Sequence, residues 1–235
     1  MSITTVLFDL DGTLLPMDQD TFVKAYIKGL TVAAEPAGYS PMIFSTAIMA
    51  GTAAMVKNNG EKTNEEVFWD TLERTYGESV CGDIHLFDEF YATDFQKIKN
   101  VCGFTPKAAE LIQHIKEKGY RVALATNPLF PQVATESRIR WAGLSPDDFE
   151  LYTSYENSRY CKPNPDYYQE VVKNLGVNPE ECLMVGNDAQ EDMIAETLGM
   201  KVFLLTDCLI NKYDVDISKY PNGDFDTLID YIINL

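Results

Sequence analysis

In the run Val6-Leu7-Phe8-Asp9-Leu10-Asp11-Gly12-Thr13-Leu14 an apolar stretch gives way to two carboxylates one residue apart, followed by a glycine. Apolar residues ahead of a turn signal predict a buried strand of a parallel sheet. Open parallel sheets bind ligands beyond the carboxyl ends of their strands, so Asp9 and Asp11 stand where chemistry is expected. Two acids this close repel each other unless a cation or a proton intervenes. A hard divalent cation with oxygen ligands, such as Mg2+, is the natural partner.

Three more polar groups follow apolar runs or stiff loops. Thr126 and Asn127 come directly after Val122-Ala123-Leu124-Ala125, and a hydroxyl and an amide there can hydrogen-bond phosphate-type oxygens. Asn127-Pro128 is equally a strong turn signal. Lys162 lies in Tyr160-Cys161-Lys162-Pro163-Asn164-Pro165, just ahead of a predicted helix. Helix N-termini favour anions, and a lysine there can neutralise charge on a nucleophile or a phosphoryl group. The fourth group is Gly186-Asn187-Asp188-Ala189-Gln190-Glu191-Asp192, where another apolar run ends in an amide and acids. Asp188 and Asp192 are four apart and share a face if a helix begins near Asp188. Taken alone, the Thr126-Asn127 group reads first as a turn and Lys162 as a solvated surface lysine, and the acids of 188–192 read also as a helix cap.

The elements that must position these groups are legible in outline. A strand is predicted over 4–8. Four helices follow between 19 and 95, the second starting at Pro41 with Ser40 as N-cap. The third starts after Thr63, which forms a capping-box pattern with Glu66. Beyond Thr105 helices and strands alternate. Helices are predicted over 106–118, 132–141, 165–175, 189–198 and 225–233, and strands over 121–125, 149–153, 182–185 and 201–205. Such alternation means a parallel sheet with helices on both faces. The expected fold is therefore α/β, a Rossmann-like three-layer core (1–16 and 100–235) with a small all-helical domain inserted at 17–99.

Bulk properties narrow the function classes. The 235 residues carry a net charge of -17, which argues against nucleic acid and anionic membrane as partners. An anionic substrate must then be held by local positive charge. The five cysteines form no CxxC pair, so zinc or a disulfide framework is not expected, and Cys182 is read as a core residue. No basic leader or membrane-length apolar run is evident, and a cytoplasmic protein is expected. His85 and His114 lack companion ligands and are read as surface or packing residues. Met42, Met49 and Met55 recur near helical spacing and are read as core of the helical insert.

Taken in order, the four groups resemble those of the haloacid dehalogenase superfamily, in the subgroup with a helical cap after the first strand. Asp9-Leu10-Asp11-Gly12-Thr13 is similar to its first motif, Thr126 to its second, Lys162 to its third and 186–192 to its fourth. The resemblance implies a Mg2+-dependent phosphatase acting on a small phosphomonoester through an aspartyl-phosphate. It makes Asp9 the nucleophile and Asp11 the proton carrier. Thr126 binds a phosphoryl oxygen with Asn127 beside it, and Lys162 stabilises charge. The Asp9 carboxylate, the Asp11 carbonyl and a fourth-motif group then hold the metal. Asn187 stands where the family usually has its first acid. Either its amide oxygen or Asp188 serves as ligand, and Asp188 is favoured because a carboxylate binds a hard cation more tightly. Asp192 supports that ligand or reaches Lys162. Asp11 speaks against dehalogenation, which needs no leaving-group acid. Phosphonatase and phosphomutase chemistry lack the cap lysine environment and basic cap loop they call for. A catalytically idle binding or regulatory protein is the alternative of a different class. A monomer or weak homodimer is expected.

Overall fold

The structure, a computed structural model, describes residues 2–235 apart from the side chains at positions 78, 79 and 81. Cys81 therefore lies outside the described side chains, while Cys102, Cys161, Cys182 and Cys208 carry free thiols. Strand β1 (Thr5–Phe8) is followed by helices α1 (Gln19–Ala34), α2 (Pro41–Val56), α3 (Asn64–Tyr76), α4 (Ile84–Ala92) and the one-turn α5 (Phe95–Ile98). Then come α6 (Lys107–Glu117), β2 (Arg121–Leu124), α7 (Gln132–Trp141), α8 (Pro165–Leu175), β3 (Cys182–Gly186), β4 (Lys201–Leu205), β5 (Asn222–Gly223) and α9 (Phe225–Ile233).

The strands form one parallel sheet in the order β2-β1-β3-β4-β5. Strand side chains alternate between faces, and the burial follows. Val6, Phe8, Val122, Leu183 and Phe203 join the apolar cluster that holds Leu111, Ile115 and Ile139 of α6 and α7 with Leu228 and Ile232 of α9. Leu7, Ala123, Met184 and Val202 join the opposite cluster, with Tyr167, Val171 and Leu175 of α8. This is the three-layer arrangement expected of a sheet whose strands are apolar throughout.

The inserted helices extend the first of these clusters. Phe22, Tyr26, Phe44, Phe68, Phe87 and Phe95 belong to it, and ring contacts such as Tyr26–Phe130 at 5.0 Å and Phe95–Trp141 at 5.0 Å cross from the insert to the segments around α7. The two chain connections run side by side: Met17 pairs antiparallel with Cys102, and Gly103 N donates to Pro16 O at 2.6 Å. Among the described residues no helix is long and apolar enough to cross a membrane.

Several boundaries agree with the sequence reading, and local chemistry explains them. Asn164 caps α8 by accepting from Asp166 N, and Gly176 ends it at φ 65°, the left-handed conformation that suits glycine. Thr63 and Glu66 form the full capping box at α3, a device worth about 1 kcal/mol. Other expectations fail. Residues 149–153 form no strand. They run beside β2 through Glu150 N→Val122 O, Leu124 N→Leu151 O and Thr153 N→Leu124 O, with one bridge at Tyr152. Residues 189–198 form only a 3-10 segment at Met193–Leu198. The fourth predicted helix is divided at Thr93–Asp94 into α4 and α5. Ser40 sits at the start of α2 without a capping hydrogen bond from its side chain. Of the three methionines only Met55 is core; Met42 and Met49 are exposed.

Candidate active site

Phe8 lies opposite Leu124 on one side and Val185 on the other. That register brings the residues after β1, β2 and β3 together at the carboxyl edge: Asp9, Thr126 and Asn187. Asp9 is held by its own backbone, Asp9 N donating to Val185 O at 2.9 Å. The chain then turns tightly, with Leu15 N donating to Leu10 O and Gly12 N to Leu15 O. Gly12 adopts φ +87°, and a Cβ there would overlap the Asn187 amide. The turn returns Thr13 onto Asp9, its hydroxyl 3.1 Å from Asp9 Oδ2 and 3.0 Å from Asn187 Oδ1.

Lys162 is 1% exposed. Its Nζ donates to Asp9 Oδ1 at 2.9 Å and to Asp192 Oδ1 at 2.6 Å. Burial alone would lower the ammonium, but the Asp192 and Asp9 carboxylates hold it well above the usual lysine range. Burial pushes the Asp192 carboxyl up to about 7 against the pull of Lys162. Gly186 makes room for this pair, since a Cβ there would collide with the Asp192 carboxylate. Asp192 Oδ2 also accepts from Asp188 N at 2.9 Å, and Asp188 Oδ1 accepts from the backbone of Gln190 and Glu191. These bonds satisfy N–H groups that a helix over 189–198 would have left at its start.

Thr126 is buried, and its carbonyl accepts from Thr153 Oγ1 at 2.6 Å and from Tyr167 Oη at 2.8 Å. Asn127 spends both ends of its amide on neighbours. Nδ2 donates to Glu191 Oε2 at 2.9 Å and Oδ1 accepts from Lys162 N at 3.3 Å. Asn127 thus ties the loop of Lys162 to that of Glu191. Asn187 is likewise clasped, Nδ2 donating to Cys208 O at 2.7 Å. Thus Asp9, Asp11, Thr126, Lys162, Asn187, Asp188 and Asp192 all come together at one edge of the sheet.

Arg138 was not foreseen. It lies on α7, fully buried, and its guanidinium Nη1 donates to Asp11 Oδ2. Its Cζ sits 4.4 Å above the Phe130 ring, a cation–π arrangement. A signal for it existed: Arg138 falls on the apolar stripe of the predicted helix, between Ala134 and Trp141 at spacings of four and three. Burial raises the Asp11 carboxyl to about 6, opposed by Arg138 and reinforced by Asp9. The other oxygen, Asp11 Oδ1, is buried without a partner.

The local charge does not balance. Among the described residues, the cations paired with the acids Asp9, Asp11, Asp188, Glu191 and Asp192 are Lys162, which meets Asp9 and Asp192, and Arg138, which meets Asp11. Among the described residues no three His, Cys, Asp or Glu side chains converge as a metal cluster. The donors near Asp9 are oxygens only: its own carboxylate, the Asn187 amide oxygen and the Asp11 carbonyl, which none of the turn's backbone bonds uses. An oxygen-only set with excess negative charge fits a hard divalent cation.

A cavity of about 570 Å3 opens between the insert and the segment after β2, lined by residues of α1, α3 and α4 with Leu129, Phe130 and Tyr155. Phe130, the ring beneath Arg138, belongs to its wall, whereas Asp9, Thr126 and Lys162 do not line it.

Fold and site together define an α/β protein with an aspartate-rich centre at the carboxyl edge of a parallel sheet and a helical insert beside it. Residues 3–195 match the haloacid dehalogenase-like hydrolases, and the chain belongs to that family of hydrolases. It is 26% identical over 132 residues to YhcW of Bacillus subtilis (strain 168), spanning 54% of this chain and 59% of that protein. It is 25% identical over 240 residues to a phosphoglycolate phosphatase of Colwellia psychrerythraea, spanning 98% and 96%. Among solved structures, a HAD phosphatase from Thermococcus onnurineus superposes with a TM-score of 0.62 at 16% identity, covering 98% of each chain. The L-2-haloacid dehalogenase RSc1362 does so with 0.59 at 17%, covering 99% and 100%. The fold is therefore shared by both chemistries.

Proposed function

We propose that this hydrolase is a Mg2+-dependent phosphatase acting on a small phosphomonoester. The observation that carries this reading is the state of Asp11. It is tied through one oxygen to Arg138, its carboxyl is raised by burial to about 6, and it presents a second oxygen with no partner among the described residues. Such a group can give a proton to a leaving alcohol and take one back from water. Displacement of a halide needs no such acid.

In the proposed cycle a carboxylate oxygen of Asp9 attacks phosphorus, and the ester oxygen leaves with the proton of Asp11. Water, deprotonated by Asp11, then attacks the phosphorus of the aspartyl-phosphate and frees Asp9. Thr126 donates to a phosphoryl oxygen, and Lys162 holds Asp9 in place and offsets charge. Asn127 positions the Lys162 loop. Asp9, the Asp11 carbonyl and Asn187 would hold the metal. The geometry favours Asn187 over Asp188 because Asn187 and Asp9 share the Thr13 hydroxyl, while one Asp188 oxygen is occupied by backbone N–H groups. When bound, Mg2+ would neutralise charge between carboxylate and phosphoryl group. The insert, 17–99, is read as a cap hinged at the paired connections near Pro16 and Gly103.

Purified protein with Mg2+ is expected to release phosphate from p-nitrophenyl phosphate, with Asp9→Asn as the blank. Equal signals from the two proteins across a phosphomonoester panel would sink the proposal.

A further inference from the structure

The cavity beside Phe130 has a lining of unusual chemistry. Its wall includes the rings of Tyr26, Phe68, Trp69, Phe87, Phe130 and Tyr155 together with four carboxylates, Glu65, Asp88, Glu136 and Glu156. Among the described residues no lysine, arginine or histidine lines it. Glu136 is matched by Arg140 at 2.9 Å. Glu65 has no such relief: burial, Glu156 and Glu66 all raise its carboxyl. Glu156 accepts from the backbone of Gln132 through both oxygens, at 2.8 and 3.0 Å, so its side chain is fixed without a cation. Tyr155 lies within the field of both acids. The volume, about 570 Å3, is that of a small-molecule site.

Rings present negative faces to a cation, and carboxylates without counter-ions add to that potential. A neutral apolar group would use the rings and leave the acids unanswered. An anion would be repelled. We infer that this cavity takes an organic ammonium group on an apolar body, and that the phosphomonoester hydrolysed at Asp9 is the ester of an amino alcohol. The second part rests on the phosphatase reading above. Phe130 supplies the physical link, because its ring lines the cavity and also carries the guanidinium that holds Asp11. A cation seated at the Glu65–Glu156 side would satisfy the acids, and the substrate link rests on the Phe130–Arg138–Asp11 contacts alone. The choice also resolves a difficulty of charge: a zwitterionic ester is repelled less by this acidic protein than a simple dianion.

The test compares choline phosphate with its uncharged isostere 3,3-dimethylbutyl phosphate. The cationic ester should show a kcat/KM about tenfold or more higher, the scale of one desolvated cation–π contact with charge assistance. In Glu65→Gln/Glu156→Gln that ratio should fall to near one, with p-nitrophenyl phosphate still turned over as the sign of a folded enzyme. A separate titration of wild type with tetramethylammonium, followed by Trp69 fluorescence, reads the cavity without catalysis. It should saturate in wild type and be lost in the double variant. A ratio near one in wild type, a ratio that survives in the variant, or a flat titration overturns the inference. Failure of every ester together with a saturable titration overturns the phosphatase reading and the substrate link with it, leaving the cation site.

Discussion

Replacing Arg138 by methionine tests whether the buried guanidinium sets the protonation of Asp11. Burial raises the Asp11 carboxyl to about 6 from an ordinary 3.8. That difference means keeping it ionised in the fold costs about 3 kcal/mol. Arg138 is the strongest group working against the cost. A hydrogen bond to a charged group is worth about 1.5–3 kcal/mol, so its loss should move the Asp11 limb of the pH–rate profile upward by about one to two pH units. Methionine fills much of the space above Phe130 but supplies no charge. The basic limb of kcat/KM for p-nitrophenyl phosphate should therefore extend to higher pH, and the difference between the two proteins is the readout. Stability should respond as well. Removing one member of a buried pair costs about 3–5 kcal/mol when the other stays charged. Asp11 escapes part of that cost by taking up a proton, so the deficit in thermal unfolding should be larger at pH 8 than at pH 5. An unshifted limb, with equal deficits at the two pH values, would refute the link between Arg138 and Asp11.

Other outcomes follow from the same geometry. EDTA should abolish phosphate release and Mg2+ should restore it; full activity in EDTA would remove the cation from the proposal. Because the folded-state value of Asp11 is raised, its contribution to stability is complete below pH 3.8 and is lost as pH rises through about 6. Mg2+ should accordingly raise the melting temperature more at pH 8 than at pH 5, which calorimetry can check. Gly186→Ala should cost about 1–3 kcal/mol by overpacking and lower kcat sharply, since the added carbon displaces Asp192 from Lys162; wild-type kcat in this variant would contradict the packing. Thr63→Ala should lower stability by about 1 kcal/mol with no change in kcat, as read by urea unfolding and by phosphate release.

What was legible in the sequence was what local chemistry decides. The bounds of α8 followed from Asn164, Pro165 and Gly176, and those of β4 and α9 from uninterrupted apolar periodicity. The groups on the sheet edge were legible because each follows an apolar run or a stiff loop. The illegible parts depend on distant partners. Residues 189–198 have a helical pattern, yet Asp192 is drawn to Lys162, thirty positions earlier in the chain, and Asp188 turns back on its own backbone. Residues 149–153 have a strand pattern, but their ladder beside β2 is too irregular to continue. Arg138 carries a charge on an apolar stripe, and only the fold supplies the Asp11 carboxylate that explains it. Asn127 reads as a phosphate contact until Lys162 N and Glu191 are seen to occupy its amide.

The placement of positive charge bears on how an anionic ester could enter so acidic a protein. Lys162 and Arg138 are the cations at the site, and both are committed, Lys162 to Asp9 and Asp192 and Arg138 to Asp11. Neither is free to attract substrate from solution, and the net charge of -17 repels a dianion at long range. Two devices could reverse that balance. A divalent cation among Asp9, the Asp11 carbonyl and Asn187 would turn the floor of the site from an acid surplus toward neutrality. A positive group carried by the substrate would turn the acids of the insert from repulsion to attraction. The two act at different places, so salt should distinguish them. Screening weakens exposed pairs far more than buried ones. KM for an ammonium-bearing ester should therefore rise with ionic strength through the half-buried Glu65 and Glu156, whereas KM for a simple dianionic ester should fall as long-range repulsion is screened. Parallel trends for both esters would mean that the acids of the cavity take no part in recognition.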